Sequence, residues 1–385
     1  MISRQDLHRL ASLWSEDHNA ISLYFPSTTP ADVAHREEPI LLKEKIHEKL
    51  GTRKLKSPAE RGDISRLLEV AASIKGNHGR ARVVYACGAQ GVWEELDLAG
   101  SVKLLFDAGP SFTLAPLVEQ LESLHRYCIA LADRSFLRVF MQVSDQITGQ
   151  TDLLDEAREP IRTTGARMSS QEERHKEKPA QMRFKALAEH PLASYERGEF
   201  EALLIGCRSE LRSEIESGLS NVLRRVLIGH FHIDPAMATA DEVRSKSLAV
   251  IAGQLTGEED ILVDQAVGEA RRGGLGVVGL PAVLDAMDKA EVRTLLLSQK
   301  RLTSSEGSAG ASICTVCSHV QLGTVAACEL CGNPMHHFAS AEEALLRHRG
   351  AREVDLRVIR SATLPGPDNI AALLRFRAER SNTVA

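Results

Sequence analysis

The chain has 385 residues, is 43% hydrophobic and 26% charged, and carries a net charge of −5. That is the composition of a folded globular protein with room for two or three domains, and it excludes a chain coated in positive charge for polyanions; any nucleic-acid contact has to come from local basic patches. No apolar run approaches the ~18 residues of a membrane-spanning helix, and Met1-Ile2-Ser3-Arg4 leads into charged residues rather than a signal peptide, so a cytoplasmic location is expected.

In chain order, residues 2–18 read as a short amphipathic helix with Leu7, Leu10 and Leu13 on one side. Ala20 to Phe25 alternates and stops at Pro26, a strand. Pro39 opens a helix through Leu50 with Ile40, Leu41, Ile46 and Leu50 inward, and another helix covers 58–74. Strands are expected at 81–87, 92–98 and 102–106, with a turn over Gly88 to Gly91, then a helix at 114–124. Strands alternating with helices predict an α/β fold, and the first domain is placed at 1–124.

A second domain is expected over 125–246. It starts with a hairpin, 125–132 and 136–143, turned by Asp133-Arg134-Ser135. From 148 to 185 the hydrophobic periodicity lapses, and from Arg158 to Lys185 there are eight Lys or Arg against four Glu, a local +4. This reads as a long basic loop. A helix at 184–190, a buried strand at 200–207 and a helix from Glu210 to Leu227, with Leu211, Ile215, Leu219, Val222 and Val226 at helical spacing, complete the domain. Residues 247–385 form the third domain: helix 251–272 stopped by Gly273-Gly274, helix 281–289, strand 292–297, helix 341–349, and strands 354–359 and 370–377.

The strongest chemical signal lies inside that third domain. Cys314-Thr315-Val316-Cys317 and Cys328-Glu329-Leu330-Cys331 are two C-x-x-C pairs ten residues apart. Each pair can wrap one side of a tetrahedral metal, and four thiolates suit Zn²⁺ best, with iron in a rubredoxin-like site as a variant and two disulfides as the bland alternative. Four cysteines leave no coordination position open, so Cys314, Cys317, Cys328 and Cys331 are expected to form a structural zinc ribbon over 311–337, with Gly332 supplying backbone freedom. His319, His336 and His337 are not counted as ligands. Cys87, Cys128 and Cys207 read as reduced core thiols, and His230-Phe231-His232 as a strand without a third ligand. Gly273 to Gly279 lacks the Lys-Ser/Thr of a phosphate-binding loop and reads as a helix stop. The acid clusters Glu37-Glu38 and Glu258-Glu259-Asp260 read as dipole partners near helix starts. No catalytic constellation emerges.

Several phrases in sequence resemble the archaeo-eukaryotic release factor and Pelota superfamily in its bacterial branch: Ala20 to Pro26 with Glu38 to Lys43, Phe112 to Leu117, Gly279 to Leu284, Val292 to Leu297, and Asn369 to Phe376. The resemblance spans nearly the whole chain and implies a three-domain, transfer-RNA-mimicking α/β protein with mixed-sheet middle and third domains that binds the ribosomal A site. It further implies a decoding-centre role for the first domain and an elongation factor Tu-type GTPase as partner, in a protein monomeric off the ribosome. In release factors of this kind the middle domain carries a Gly-Gly-Gln loop. The matching stretch here, Arg174 to Phe184, keeps Arg174, His175, Arg183 and Phe184 but has Pro179-Ala180-Gln181 in place of the motif. Pro179 lacks an N–H and fixes φ, and Ala180 disfavours positive φ, so the backbone shape that aims an N–H at an ester is lost. The implied role is occupancy without peptidyl-tRNA hydrolysis, as in Balon-type ribosome hibernation factors, with Arg167, Arg174, His175, Lys176, Lys178, Gln181 and Arg183 as candidate RNA contacts. A Pelota-like rescue factor, a divergent release factor using Gln181, and a zinc-containing interaction protein off the ribosome stand as alternatives.

Overall fold

The computed structural model describes residues 4–17, 19–26, 38–51, 57–73, 81–98, 102–122, 124–133, 136–154, 188–303, 310–348, 354–366 and 368–378. The chain forms two compact units, Met1–Ser123 with Glu258–Ala385, and Leu124–Gly257. Among the described residues the architecture is mixed α/β, built on four sheets.

In the N-terminal third, β1 (Ala20–Phe25), β2 (Ala81–Cys87), β3 (Val92–Leu98) and β4 (Leu105–Gly109) make an antiparallel sheet in the order β3-β2-β1-β4. All six residues of β1 are buried, because it is central and covered on both faces. Ile21, Leu23 and Phe25 pack with Leu42, Ile46, Ile64 and Leu67 from the helices Glu38–Leu50 and Pro58–Ser73. Tyr24 faces the other way, among Leu10, Phe112 and Leu114. The expected inward face of helix Glu38–Leu50 needs correction. Ile40 is 56% exposed, whereas Leu42 is 2% exposed. Leu42 and Ile46 stand four apart on one face, and Ile40 lies most of a half-turn away from it. The strand expected at 102–106 sits three residues later, because pairing with β1 runs on past Leu23↔Phe106 to Ala20↔Gly109. Asp107 on it accepts a 2.5 Å bond from the Thr113 hydroxyl.

The middle unit holds β5 (Arg126–Ala132), β6 (Phe136–Val143), β7 (Gln146–Leu154), β8 (Ala202–Cys207) and β9 (Leu227–His232), in the order β7-β6-β5-β8-β9. β5, β8 and β9 are parallel, and β6 and β7 antiparallel. Gly206 on β8 is required there: a Cβ would come within 2.4 Å of Leu131 and 2.8 Å of the Phe231 ring. The helix expected over 184–190 lies at Glu189–Glu196, and two further expectations fail in this unit. β7 was expected to be loop from 148, yet its ladder with β6 reaches Phe136↔Leu154. The helix expected over 210–227 is broken into Arg212–Gly218 and Asn221–Arg225, and Leu227 belongs to β9. Ser220 causes the restart, its hydroxyl capping Leu223 N at 3.3 Å.

The helix Ala240–Arg271 starts well before the expected residue 251, capped by the Thr239 hydroxyl on Glu242 N at 3.2 Å. It runs from one compact unit into the other. The trio Glu258-Glu259-Asp260 therefore lies inside a helix, not near its start. Glu259 is buried and accepts from Arg360 N, Ser361 N and the Ser361 hydroxyl at 2.9, 2.8 and 2.7 Å. Beyond the helix, Gly273 and Gly279 take φ of +67° and +90°, the expected helix stop and turn. β10 (Gly276–Val278), β11 (Val292–Ser298), β12 (Ala311–Cys314), β13 (Val320–Leu322), β14 (Met335–Phe338), β15 (Asp355–Ile359) and β16 (Ile370–Leu374) follow. They form a sheet β10-β16-β11-β15, in which only β11 and β15 are parallel, and a small sheet β13-β12-β14. The small sheet is inserted between β11 and β15, as its sequence position implied. Among the described residues, no helix is long and apolar enough to cross a membrane.

Candidate metal centre

Cys314 closes β12, and the chain then folds back at once: Cys314 N donates to His319 O at 2.8 Å and Ser318 N to Cys314 O at 3.1 Å. The second pair repeats the turn, with Gly332 N on Cys328 O at 2.8 Å and Cys328 N on Asn333 O at 2.9 Å. The residue after each C-x-x-C has positive φ, 65° at Ser318 and 71° at Gly332. Glycine meets that requirement without cost in the second turn. Ser318 meets it as a strained exception that spacing alone did not reveal.

The two turns bring four sulfurs together. The ligand atoms of Cys314, Cys317, Cys328 and Cys331 all lie within 4.8 Å of one another. Individual separations are 3.4 Å for Cys314–Cys331, 3.5 Å for Cys317–Cys331 and 3.6 Å for Cys317–Cys328. None is bonded as a disulfide. A tetrahedron with metal–sulfur bonds of about 2.3 Å has edges of about 3.8 Å. The donor set thus fits a metal ion, and it fills every position of a tetrahedral one. Val316 N and the Asn333 side-chain amide point at the sulfurs of Cys314 and Cys331 from 3.5 and 3.4 Å. Asn333, through its side chain and then its backbone, pulls the Cys331 thiol down to about 6. His319 N–H favours the Cys317 thiolate, but partial burial and the three neighbouring thiols together push that group up to about 12.

The nearby histidines are occupied elsewhere. His319 bridges Asp288 at 2.5 Å and Glu329 at 3.0 Å. Asp288 also takes His348 at 3.0 Å, which joins the ribbon to two flanking helices. His336 stacks on Trp14 with ring centroids 3.5 Å apart and planes 9° apart. The ribbon's apolar face, Ile313, Val320 and Phe338, packs into the core around Leu280, Leu295 and Leu345. In the same core region, Glu343 caps Leu114 N and Ala115 N at 2.9 and 2.8 Å. Trp14 and Glu343 were not singled out from the sequence, since neither carries a local signal.

The remaining cysteines behave as core thiols. Cys87, Cys128 and Cys207 are buried and free, and burial pushes Cys128 up to about 12. His230 lies on β9, where burial lowers its pKa. The seven candidate RNA contacts, Arg167, Arg174, His175, Lys176, Lys178, Gln181 and Arg183, lie outside the described residues.

Residues 113–252 match the family model described as bacterial archaeo-eukaryotic release factor family 10. The match covers the middle sheet and ends before the cysteine cluster. No curated protein matches the chain. Among solved structures, the chain is similar to Saccharomyces cerevisiae Dom34, a translation termination-like factor, at 10% identity, covering 98% of this chain and 94% of that one with a TM-score of 0.41. Archaeoglobus fulgidus Pelota is similar at 12% identity, covering 97% and 93%, with a TM-score of 0.35. An archaeal translation termination factor, aRF1, is similar at 15% identity, covering 97% and 99%, with a TM-score of 0.25. Residues 113–252, 140 of the 385, are thus the part of the chain that is similar to this release-factor family.

Proposed function

We propose that the chain is a ribosome-binding hibernation factor that occupies the A site and inhibits translation without hydrolysing peptidyl-tRNA. The observation that carries this reading is the pairing of a release-factor family match over 113–252 with Pro179-Ala180-Gln181 at the place of the family's Gly-Gly-Gln. A water-directing loop needs backbone N–H groups aimed at the ester oxygen, and removing one such donor typically costs ~10²–10³ in rate. Proline removes one outright. What the segment 158–185 keeps is charge, eight Lys or Arg against four Glu, which suits phosphate contact without sequence reading. Arg167, Arg174, His175, Lys176, Lys178, Gln181 and Arg183 are the residues proposed to touch ribosomal RNA.

In this reading, residues 1–124 face the decoding centre, 125–246 send the basic loop towards the peptidyl transferase centre, and 247–385 face an elongation factor Tu-type GTPase. Zinc is the metal proposed for the four thiolates. It supplies no reaction chemistry there, because no ligand position is left for water or substrate; it folds the ribbon.

The test is co-sedimentation of the purified chain with 70S ribosomes, together with release of labelled peptide from stalled complexes. Binding without release is the expected result. Failure to pellet with ribosomes overturns the reading, and release lost on Gln181→Ala would make the chain a divergent release factor. Splitting of ribosomes into subunits would make it a Pelota-like rescue factor.

A further inference from the structure

We propose that the end of the C-terminal sheet where β16 runs out is an RNA-binding platform, with Phe376 stacking on a base and the surrounding arginines neutralising phosphates. β16 ends at Leu374, and the next three residues, Arg375, Phe376 and Arg377, are all exposed, Phe376 by 50%. An exposed phenylalanine in a loose tail would mean little, but this one is held on both sides. Arg375 N donates to Glu291 O at 2.7 Å, and its Nε to Val292 O at 3.0 Å. Arg377 reaches Gly276 O at 3.1 Å, and Ala378 N reaches the Glu291 carboxylate at 2.8 Å. The ring is therefore presented from a pinned backbone, so little ordering remains to oppose binding.

The neighbouring strands add positive charge around it. Leu374 N donates to Leu275 O at 3.0 Å, which brings in the turn after the long helix with exposed Arg271, Arg272 and Leu275. The register Val292↔Leu374 sets exposed Arg293 alongside. Of the nearby carboxylates, Glu269 offsets one of these arginines. Glu269 is engaged by Arg272 at 2.6 Å and by Leu275 N at 2.9 Å, and Glu291 is buried. Arg271 and Arg293 have no carboxylate partner among the described residues. Arg271, Arg272, Arg293, Arg375 and Arg377 thus lie on adjoining segments at this end of the sheet, one of the five offset by Glu269, in a chain whose overall charge is −5. A solvent-facing aromatic ring flanked by arginines along the chain and on the adjoining strands suits single-stranded nucleic acid. An acidic peptide would use the guanidinium groups and leave the ring's face unpartnered. The proposal rests on the ribosomal reading only for which RNA is meant; binding of RNA at this platform stands or falls separately.

The experiment uses the full, metal-loaded chain with a short fluorescein-labelled oligouridylate, read by anisotropy across a salt series, with ultraviolet crosslinks mapped by mass spectrometry. Crosslinks in the peptide holding Phe376 are expected, and Phe376→Ala should weaken binding roughly tenfold. The double variant Arg271→Gln with Arg293→Gln should flatten the slope of log K against log salt by about 1.4, for two lost single-strand phosphate contacts. Circular dichroism and metal content identify any variant that fails to fold, and the double variant alters only exposed side chains. Crosslinks confined to other segments, or wild-type affinity and slope in both variants, would overturn the proposal. So would capture of an acidic protein at this face with no RNA bound. Ribosome pelleting that survives while the platform fails leaves the functional reading intact. Crosslinks at Phe376 without ribosome pelleting do the reverse.

Discussion

The sheet β7-β6-β5-β8-β9 and the ribbon sheet β13-β12-β14 share the same backbone hydrogen bonding but are held by different forces. On β5 and β8 successive residues point to opposite faces, and both faces are buried. Cys128, Ala130, Leu203 and Ile205 lie in one cluster, and Tyr127, Ile129, Leu131 and Leu204 in another. That sheet is stabilised by apolar area removed from water, at about 25 cal/mol per Å². The ribbon buries only one face, through Ile313, Val320 and Phe338, and its other side ends in Cys317 and Cys331, which are exposed. With so little area of its own, it would gain most from an ion held by the four thiols, as proposed above. Two sheets of one chain therefore differ in what would melt them.

The largest expected effect follows from removing a ligand. Cys328→Ser should abolish metal binding, since structural zinc sites contribute ~10–16 kcal/mol of apparent binding energy in small domains. Metal analysis should find none bound, and hydrogen exchange should show loss of protection over 311–338 with β5 to β9 unchanged. Retained protection in the ribbon would break the contrast. The converse is Leu204→Ala, which opens a cavity where Leu204 is 0% exposed and should cost ~2–5 kcal/mol. Thermal unfolding of the middle sheet should move down while bound metal stays the same.

The same difference explains what was legible in the sequence. β5 and β8 read plainly as apolar runs because both faces are buried, and the ribbon read plainly because its ligands recur at fixed spacing. β7 is illegible because Thr148, Gln150 and Asp152 are the water-facing residues of an edge strand, and they leave no periodic trace. The single helix expected through Leu227 follows from Leu211, Ile215, Leu219, Val222 and Val226, which do fit a period of 3.6. In the structure Val222 is 42% exposed and Leu223 takes the buried place, because Ser220 restarts the helix in a new phase. Contacts such as Trp14 on His336 join residues more than three hundred positions apart, and no local pattern announces them.

That stacking gives a smaller test. Trp14→Ala removes a ring pair worth ~0.5–1.5 kcal/mol beyond its buried area. It should leave metal content unchanged and raise exchange at Met335 to Phe338 alone. Exchange spreading through β12 and β13 would mean that docking, rather than metal, holds the ribbon.

The finest discrimination comes from the thiols themselves. In the folded ribbon, Asn333 sets the Cys331 thiol at about 6 rather than its ordinary value of 9. If the ribbon's shape depends on metal, a chelator removes Asn333 from Cys331 as well. Alkylation of Cys331 in the chelated chain should then rise with pH through a midpoint near the ordinary thiol value, and Asn333→Ala should leave that midpoint where it is. A midpoint persisting near 6, moved upward by Asn333→Ala, would show that the turn stands without its ion. Cys128 is the internal reference. It is not among the clustered cysteines, and burial pushes its thiol up to about 12, so iodoacetamide at pH 8 should leave it unmodified with or without chelator.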